Sequence, residues 1–102
     1  NHGYVLAVVP FGVAYGSDLK QVTELVETAV NSLHHKWMDP SKQVKSVVSQ
    51  MGDSSIDFKL FVWADAPKKS YVVSDVLKCV YDTLNSNGIE IPFPQRDVHL
   101  IQ

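Results

Sequence analysis

The sequence predicts one α+β domain whose elements follow the order strand, helix, strand, strand, helix, strand. Two segments repeat apolar residues at three- and four-residue spacing, as helices do, and the segments around them alternate apolar with polar residues, as half-buried strands do. The 102 residues, 45% of them hydrophobic, are enough to bury one core. With right-handed crossovers this order gives the ferredoxin-like fold, in which both helices cover one face of a four-stranded antiparallel sheet.

The first strand is predicted within the apolar run from Tyr4 to Tyr15. Pro10 and Gly12 lie inside this run, and a proline cannot donate a hydrogen bond to a neighbouring strand. We therefore expect the chain to bend or bulge near Pro10. The part that pairs with the main sheet is predicted to be Phe11 to Tyr15, with the earlier part of the run outside the sheet.

The first helix is predicted to begin after Asp18, whose carboxylate can cap the first turn, with Gln21 placed to complete a capping-box-like exchange. The helix should end near His35 or Trp37, because Pro40 disfavours helical geometry at the residue before it. The apolar stripe of this helix consists of Leu19, Val22, Leu25, Val26, Ala29, Val30 and Leu33.

Two strands are predicted next, joined by a turn at residues 52–54. Val44 to Met51 alternates imperfectly and contains a lysine, which discourages pairing between sheet edges, so we interpret it as an edge strand. Ser55 to Ala64 alternates strictly, so its two faces can be assigned. One face carries Ile56, Phe58, Leu60 and Val62, and the other carries Asp57, Lys59, Phe61 and Trp63.

The second helix is predicted to begin with Ser70 as its N-cap and to end at Asn87-Gly88, where glycine accepts the left-handed conformation of a helix stop. Beyond it, residues 91–94 should form a stiff extended arm, because Pro92 and Pro94 fix their own φ and restrict the residue before them. A short alternating segment predicts a terminal strand from Asp97 to Ile101. The inward stripe of the helix consists of Val72 or Val73, Val76, Leu77, Val80 and Leu84.

Two helices can cover only one face of the predicted sheet. On the other face, Phe61 and Trp63 and the alternate residues of the first strand form an apolar cluster that must meet solvent, a ligand or another chain. Self-association is the preferred interpretation, because no polar residues converge there. The candidate subunit-interface residues are therefore Phe61 and Trp63, with Pro92, Phe93 and Pro94 of the arm.

Composition argues against several other functions. The formal net charge is −2 and Arg96 is the only arginine, so the chain lacks the basic surface that binds nucleic acid.

The single Cys79 cannot form an internal disulfide, which favours the cytoplasm. Cys79 falls beside the apolar stripe of the second helix, so we interpret it as a packing thiol. His34 and His35 are predicted at a surface helix end, where adjacent residues point about 100° apart and make a poor metal site.

We predict no catalytic residue, metal or cofactor. There is also no apolar run of about 18 or more residues, so neither a membrane span nor a signal peptide is expected within this sequence.

Three sequence blocks occur in order across almost the whole chain. They are residues 11–18, FGVAYGSD, residues 62–63, VW, and residues 88–95, GIEIPFPQ. Each block alone is weak, but the three together at domain-wide spacing are specific. In these blocks the sequence resembles the carboxy-terminal cytoplasmic domain of the small-conductance mechanosensitive channel family.

The resemblance implies a ferredoxin-like domain at the cytoplasmic end of a channel in the bacterial inner membrane, where copies from each subunit form a perforated vestibule beneath the pore. Residues 1–10 would connect a preceding β domain to the ferredoxin-like domain of residues 11–102. The partners would be other subunits of the same channel, and ions and small solutes that pass the vestibule. Membrane contact would come only through N-terminal segments absent from this sequence.

Two other classes of protein share the predicted fold. An acylphosphatase-like enzyme needs an arginine in the loop after the first strand, and none is there, so no enzymatic function is predicted. A ferredoxin-like module that binds nucleic acid or another ligand could stack bases on Phe61 and Trp63. The acidic charge balance argues against the nucleic acid.

Overall fold

The computed structural model describes residues 3–92. Their elements follow the predicted order as far as the second helix. They are β1, Tyr4–Val13; α1, Leu19–Asn31; β2, Lys45–Met51; β3, Ile56–Asp65; and α2, Lys69–Ser86. The predicted terminal strand, Asp97 to Ile101, lies outside the described residues. The structure therefore shows an α+β fold with three strands and two helices, and the fourth strand stays a prediction.

The three strands form one antiparallel sheet in the order β1-β3-β2. The prediction that β1 pairs only from Phe11 is wrong, because pairing with β3 begins at Tyr4 and continues to Val13. Pro10 lies within this ladder, opposite Lys59. Since β1 is an edge strand among the described residues, the missing N–H of Pro10 can face away from β3 without loss of a ladder hydrogen bond.

Both helices lie on one face of the sheet, because all five inward residues of β3 are buried in a core shared with both helices. Phe58 is fully buried at its centre and stacks on Phe11 of β1 with 4.9 Å between the ring centroids. The helices contribute Val22, Val26 and Val30 from α1, and Val72, Val76, Val80 and Leu84 from α2.

The predicted Asp18 cap of α1 is confirmed, but the capping-box-like exchange is not completed, because within the described residues the Gln21 side chain makes no hydrogen bond back to Asp18. The Asp18 carboxylate accepts hydrogen bonds from the backbone N–H groups of Lys20 and Gln21 at 3.1 and 3.2 Å. The helix ends at Asn31, however, and not near His35 or Trp37. His34 has a φ of 47°, a left-handed conformation that an α-helix cannot continue through, so the stop comes well before Pro40.

The start of α2 differs from the prediction. Residues 66–68 form a 3-10 turn with Pro67 in its first positions, and α2 continues from this turn at Lys69. Ser70 is therefore inside the helix and is not its N-cap, because the preceding turn already sets the helical direction. The predicted stop is confirmed, with Asn87 as the C-cap and Gly88 at a φ of 71°.

Candidate functional site

The face of the sheet opposite the helices carries a continuous group of apolar side chains. We call this group the open sheet face. The register places Leu6 opposite Trp63 and Val8 opposite Phe61, so side chains of neighbouring strands lie side by side. Leu6 and Val8 are 43% and 41% exposed. The members of the open sheet face are Tyr4, Leu6 and Val8 of β1, Val47 of β2, and Phe61 and Trp63 of β3.

The alternation of β3 arises from its strand geometry. Successive side chains of a strand point to opposite faces, so burying Leu60 and Val62 in the core sends Phe61 and Trp63 to the open side. Phe61 and Trp63 are each half-buried, although no helix covers them. Part of that burial comes from Leu6 and Val8 across the ladder.

The connection between α1 and β2 lies beside the end of β3, where Met38 and Ala64 form an antiparallel bridge. The backbone N–H of Asp39 donates to the Trp63 carbonyl at 3.0 Å, and the N–H of Asp65 donates to the Trp37 carbonyl at 2.8 Å. These bonds fix the connection along the end of β3. The Lys42 ammonium then lies 5.2 Å from the centroid of the Trp63 ring, within the range of a cation–π contact.

The opposite end of the open sheet face is more polar. Lys45 of β2 lies opposite Phe61, and Lys59 of β3 is exposed beside Val47 of β2. An apolar centre with charged residues at its margin is typical of a protein contact surface. No group of three His, Cys, Asp or Glu side chains that could hold a metal ion occurs among residues 3–92.

Pro92 lies away from Phe61 and Trp63. The carbonyl of Glu90 accepts a hydrogen bond from the N–H of Ala14 at 2.9 Å, which places it about 25 Å along the direction of β1 from Leu6. Pro92 follows two residues later, within about 7 Å of that point. The structure therefore does not bring Pro92 together with Trp63. The other two candidates of the arm, Phe93 and Pro94, lie outside the described residues.

Cys79 is a packing residue, as predicted. It is half-buried on α2 and packs against the core. Burial raises the pKa of its thiol above the ordinary value; a hydrogen bond with Thr83 acts in the opposite direction, and the nearby Asp82 charge adds to the increase. A higher pKa leaves less thiolate at neutral pH, so Cys79 is a poor nucleophile.

Sequence reasoning missed a role for His35. Its Nε2 lies 2.8 Å from a carboxylate oxygen of Asp75 on α2, and its Nδ1 accepts a hydrogen bond from the backbone N–H of Trp37 at 3.1 Å. The side chain of His35 is only 11% exposed. No local sequence signal marks this pair, because its members are 40 positions apart. His34 is exposed, as predicted for a surface position.

Among residues 3–92, neither helix has the combination of length and hydropathy that crossing a bilayer requires.

Comparison with known proteins identifies the family of this chain. Residues 7–91 match the family model described as "Mechanosensitive ion channel MscS, C-terminal". The match includes all three strands and both helices, except the first residues of β1. It also includes the open sheet face from Val8 onward.

Relatives with this family name occur in several bacteria. A small-conductance mechanosensitive channel of Edwardsiella ictaluri is 31% identical over 91 residues, which are 89% of this chain and 31% of that protein. An uncharacterised MscS family protein of Synechocystis is 29% identical over 91 residues, which are 89% of this chain and 30% of that protein. The chain thus spans less than a third of the length of either relative.

A solved structure has the same fold. The crystal structure of Helicobacter pylori MscS in its closed state superposes with a TM-score of 0.78 at 26% sequence identity. The superposition covers 90% of this chain and 36% of that one. Since the family model, the relatives and the structure agree, this chain belongs to the MscS family of mechanosensitive ion channels, to whose C-terminal region it corresponds.

Proposed function

We propose that this domain holds the subunits of a membrane channel together on the cytoplasmic side and forms part of the vestibule through which ions and small solutes reach the pore. The observation that carries the proposal is the open sheet face. The Leu6–Trp63 and Val8–Phe61 pairs leave an apolar surface that neither helix of the domain covers. Exposed apolar patches of this kind mark contact sites with other proteins.

The channel context supports a second copy as the partner. The chain belongs to a channel family and spans only about a third of the relatives it matches, so the remainder of the parent protein would supply the pore. A parent subunit in the bacterial inner membrane, with this domain on the cytoplasmic side, would bring several copies close together. The high effective concentration would then allow contacts too weak to hold isolated domains together.

The proline arm and the first residues have supporting roles in this proposal. Pro92, Phe93 and Pro94 would contact a neighbouring subunit, and Pro92 would do so at a point separate from the contact made by Phe61 and Trp63. Residues 1–10 would connect this domain to a preceding β domain. Within this connection, β1 already pairs with β3 from Tyr4 onward.

A substitution on the open sheet face tests the contact in the full-length channel. Val8→Lys places a charge at the centre of the apolar surface without entering the core, since Val8 is 41% exposed. We expect the variant to lose subunits or to dissociate at a temperature several degrees lower, because burying an unpaired lysine in an interface is unfavourable. Native mass spectrometry gives the subunit number, and light scattering during heating gives the dissociation temperature.

Tyr81→Lys is the matched control, because Tyr81 is exposed on α2, on the other side of the domain. Thermal unfolding of the isolated 102-residue chain with Val8→Lys separates loss of assembly from loss of folding. Phe93→Asp in the full-length channel tests the arm in the same way. A Val8→Lys channel with unchanged subunit number and unchanged dissociation temperature would refute the role of the open sheet face.

A further inference from the structure

A cavity of about 410 Å³ lies between the end of α1, the connection that follows it, and Tyr4 of β1. Its floor is apolar, because Val30 and Met38 line it and both are buried. Its walls are polar and include Asn31 and Gln43. An apolar floor with a few polar groups in a volume of several hundred Å³ is the usual form of a small-molecule site.

The rim of the cavity carries two positive charges held in position. Lys36 and Lys42 both line it. Their ammonium groups lie 4.6 Å from the ring centroid of Trp37 and 5.2 Å from that of Trp63, so each lysine is oriented by a cation–π contact. A cation that is already oriented loses less conformational entropy when it binds an anion.

Negative charge near the cavity partly offsets these two lysines. Asp39 lines the cavity, and its carboxylate accepts hydrogen bonds from the hydroxyl and the N–H of Ser41 at 2.7 and 2.9 Å. These bonds and the nearby Lys42 lower the pKa of Asp39, so its carboxylate is ionised. The end of α1 contributes about half a negative charge. Hydrogen bonds from the backbone N–H groups of Ser32 and Leu33 already occupy two carbonyls of that last turn.

The wall that supports the lysines is fixed at both ends. His35 is held by Asp75 on one side and by the backbone N–H of Trp37 on the other. The side-chain oxygen of Asn31 accepts from the N–H of Val44 at 3.1 Å, so the amide NH₂ of Asn31 remains as a donor at the cavity. The site therefore offers two cations and one amide donor around an apolar floor, against the single carboxylate of Asp39.

We propose that this cavity binds a small organic anion, with its phosphate or carboxylate group between Lys36 and Lys42 and its short apolar part on Val30 and Met38. The cavity borders the open sheet face, because Tyr4 belongs to both and Lys42 contacts Trp63. The cavity is formed within one copy of the chain, so its existence does not depend on the assembly of a channel. It gives the domain a means to recognise a solute.

Titration of the 102-residue chain with phenyl phosphate tests the proposal, with backbone amide shifts in NMR spectra as the measurement. We expect the largest shifts within residues 30–43. Inorganic phosphate lacks the apolar part and phenol lacks the charge, so each should bind at least about tenfold more weakly. Equal affinity for phenyl phosphate and inorganic phosphate would overturn the proposed use of the apolar floor.

Two double variants test the lysines. K36M/K42M should weaken phenyl phosphate binding about tenfold or more, because it removes both charge-assisted hydrogen bonds. K36R/K42R keeps the charges and should stay within about threefold of the original chain. K20M/K78M removes exposed lysines of α1 and α2 and serves as the control for general charge effects. The site is refuted if K20M/K78M weakens binding as much as K36M/K42M does, or if the amide shifts lie elsewhere.

Discussion

At the scale of single residues, His35 links two parts of the fold through both of its ring nitrogens. Because Nδ1 accepts from the backbone N–H of Trp37, the neutral ring carries its proton on Nε2, and that proton is donated to Asp75. The segment after α1 is thereby tied to α2. The neighbouring His34 makes the sharp turn that brings His35 to this position, with its φ of 47°.

We expect His35→Ala to lower the free energy of unfolding by about 1–2 kcal/mol, because the Trp37 N–H loses its acceptor and Asp75 loses its donor. For a domain of this size, 1 kcal/mol corresponds to a decrease of about 4–8 °C in Tm. His34→Asn is the control, since His34 is exposed and asparagine readily adopts its left-handed φ. Circular dichroism during heating measures both variants, and equal Tm values for the two would contradict the role of His35.

At the scale of elements, α1 closes part of the edge of β2. The side chains of Glu27 and Asn31 stand one turn apart on α1 and accept hydrogen bonds from the backbone N–H groups of Ser46 and Val44, at 2.7 and 3.1 Å. An unpaired strand edge can recruit the edge of another chain, and covering it with a helix prevents this. The edge position of β2 follows from its lysine and imperfect alternation, but the partners that cover it were not predicted.

Glu27→Ala should lower the free energy of unfolding by about 1–2 kcal/mol and increase aggregation, because it leaves the Ser46 N–H without its acceptor and uncovers the edge. Glu24→Ala is the matched control, since Glu24 is an exposed glutamate on the same helix. Urea denaturation gives the free energy, and light scattering at raised concentration gives the aggregation. Identical results for the two variants would show that β2 does not depend on Glu27.

At the scale of the whole molecule, the two faces of the sheet have different energetic roles. The inner face supplies the core, in which Phe58 is fully buried and stacked on Phe11. The outer face contributes less to folding, because Leu6 and Val8 remain more than one-third exposed. An apolar surface that contributes little to the fold is available for a contact with another chain.

We therefore expect Phe58→Ala to lower the free energy of unfolding by about 3–5 kcal/mol, which is enough to unfold much of a small domain. Val8→Ala should lower it by less than about 1 kcal/mol, since the removed methyl groups are already partly in water. Chemical denaturation of the isolated chain measures both. A decrease for Val8→Ala as large as that for Phe58→Ala would mean that the open sheet face is part of the folding core.

The sequence by itself determined the order of the elements from β1 to α2 and which face of β3 is buried, since both follow from the spacing of apolar residues along a helix or strand. It also identified the family, through three motifs in order. The predicted helix ends were less accurate where no residue in that turn of the sequence signals the end of the helix. Asp18 and Gly88 act on their own turns and were predicted correctly. In contrast, α1 ends at Asn31, before the left-handed turn at His34, a conformation that no residue type in this segment requires.

Only the tertiary structure decided which distant groups meet. Among residues 3–92, β1 lies at an edge of the sheet, which accommodates Pro10. His35 meets Asp75 across the fold, and Lys42 reaches Trp63. The tertiary structure also shows that Pro92 and Trp63, both candidate interface residues, lie in different parts of the domain. The spacing of apolar residues along a helix or strand predicts which side of that element is buried in the core. The position of an edge, a cavity or an ion pair depends on how several elements pack, and local spacing carries no information about that packing.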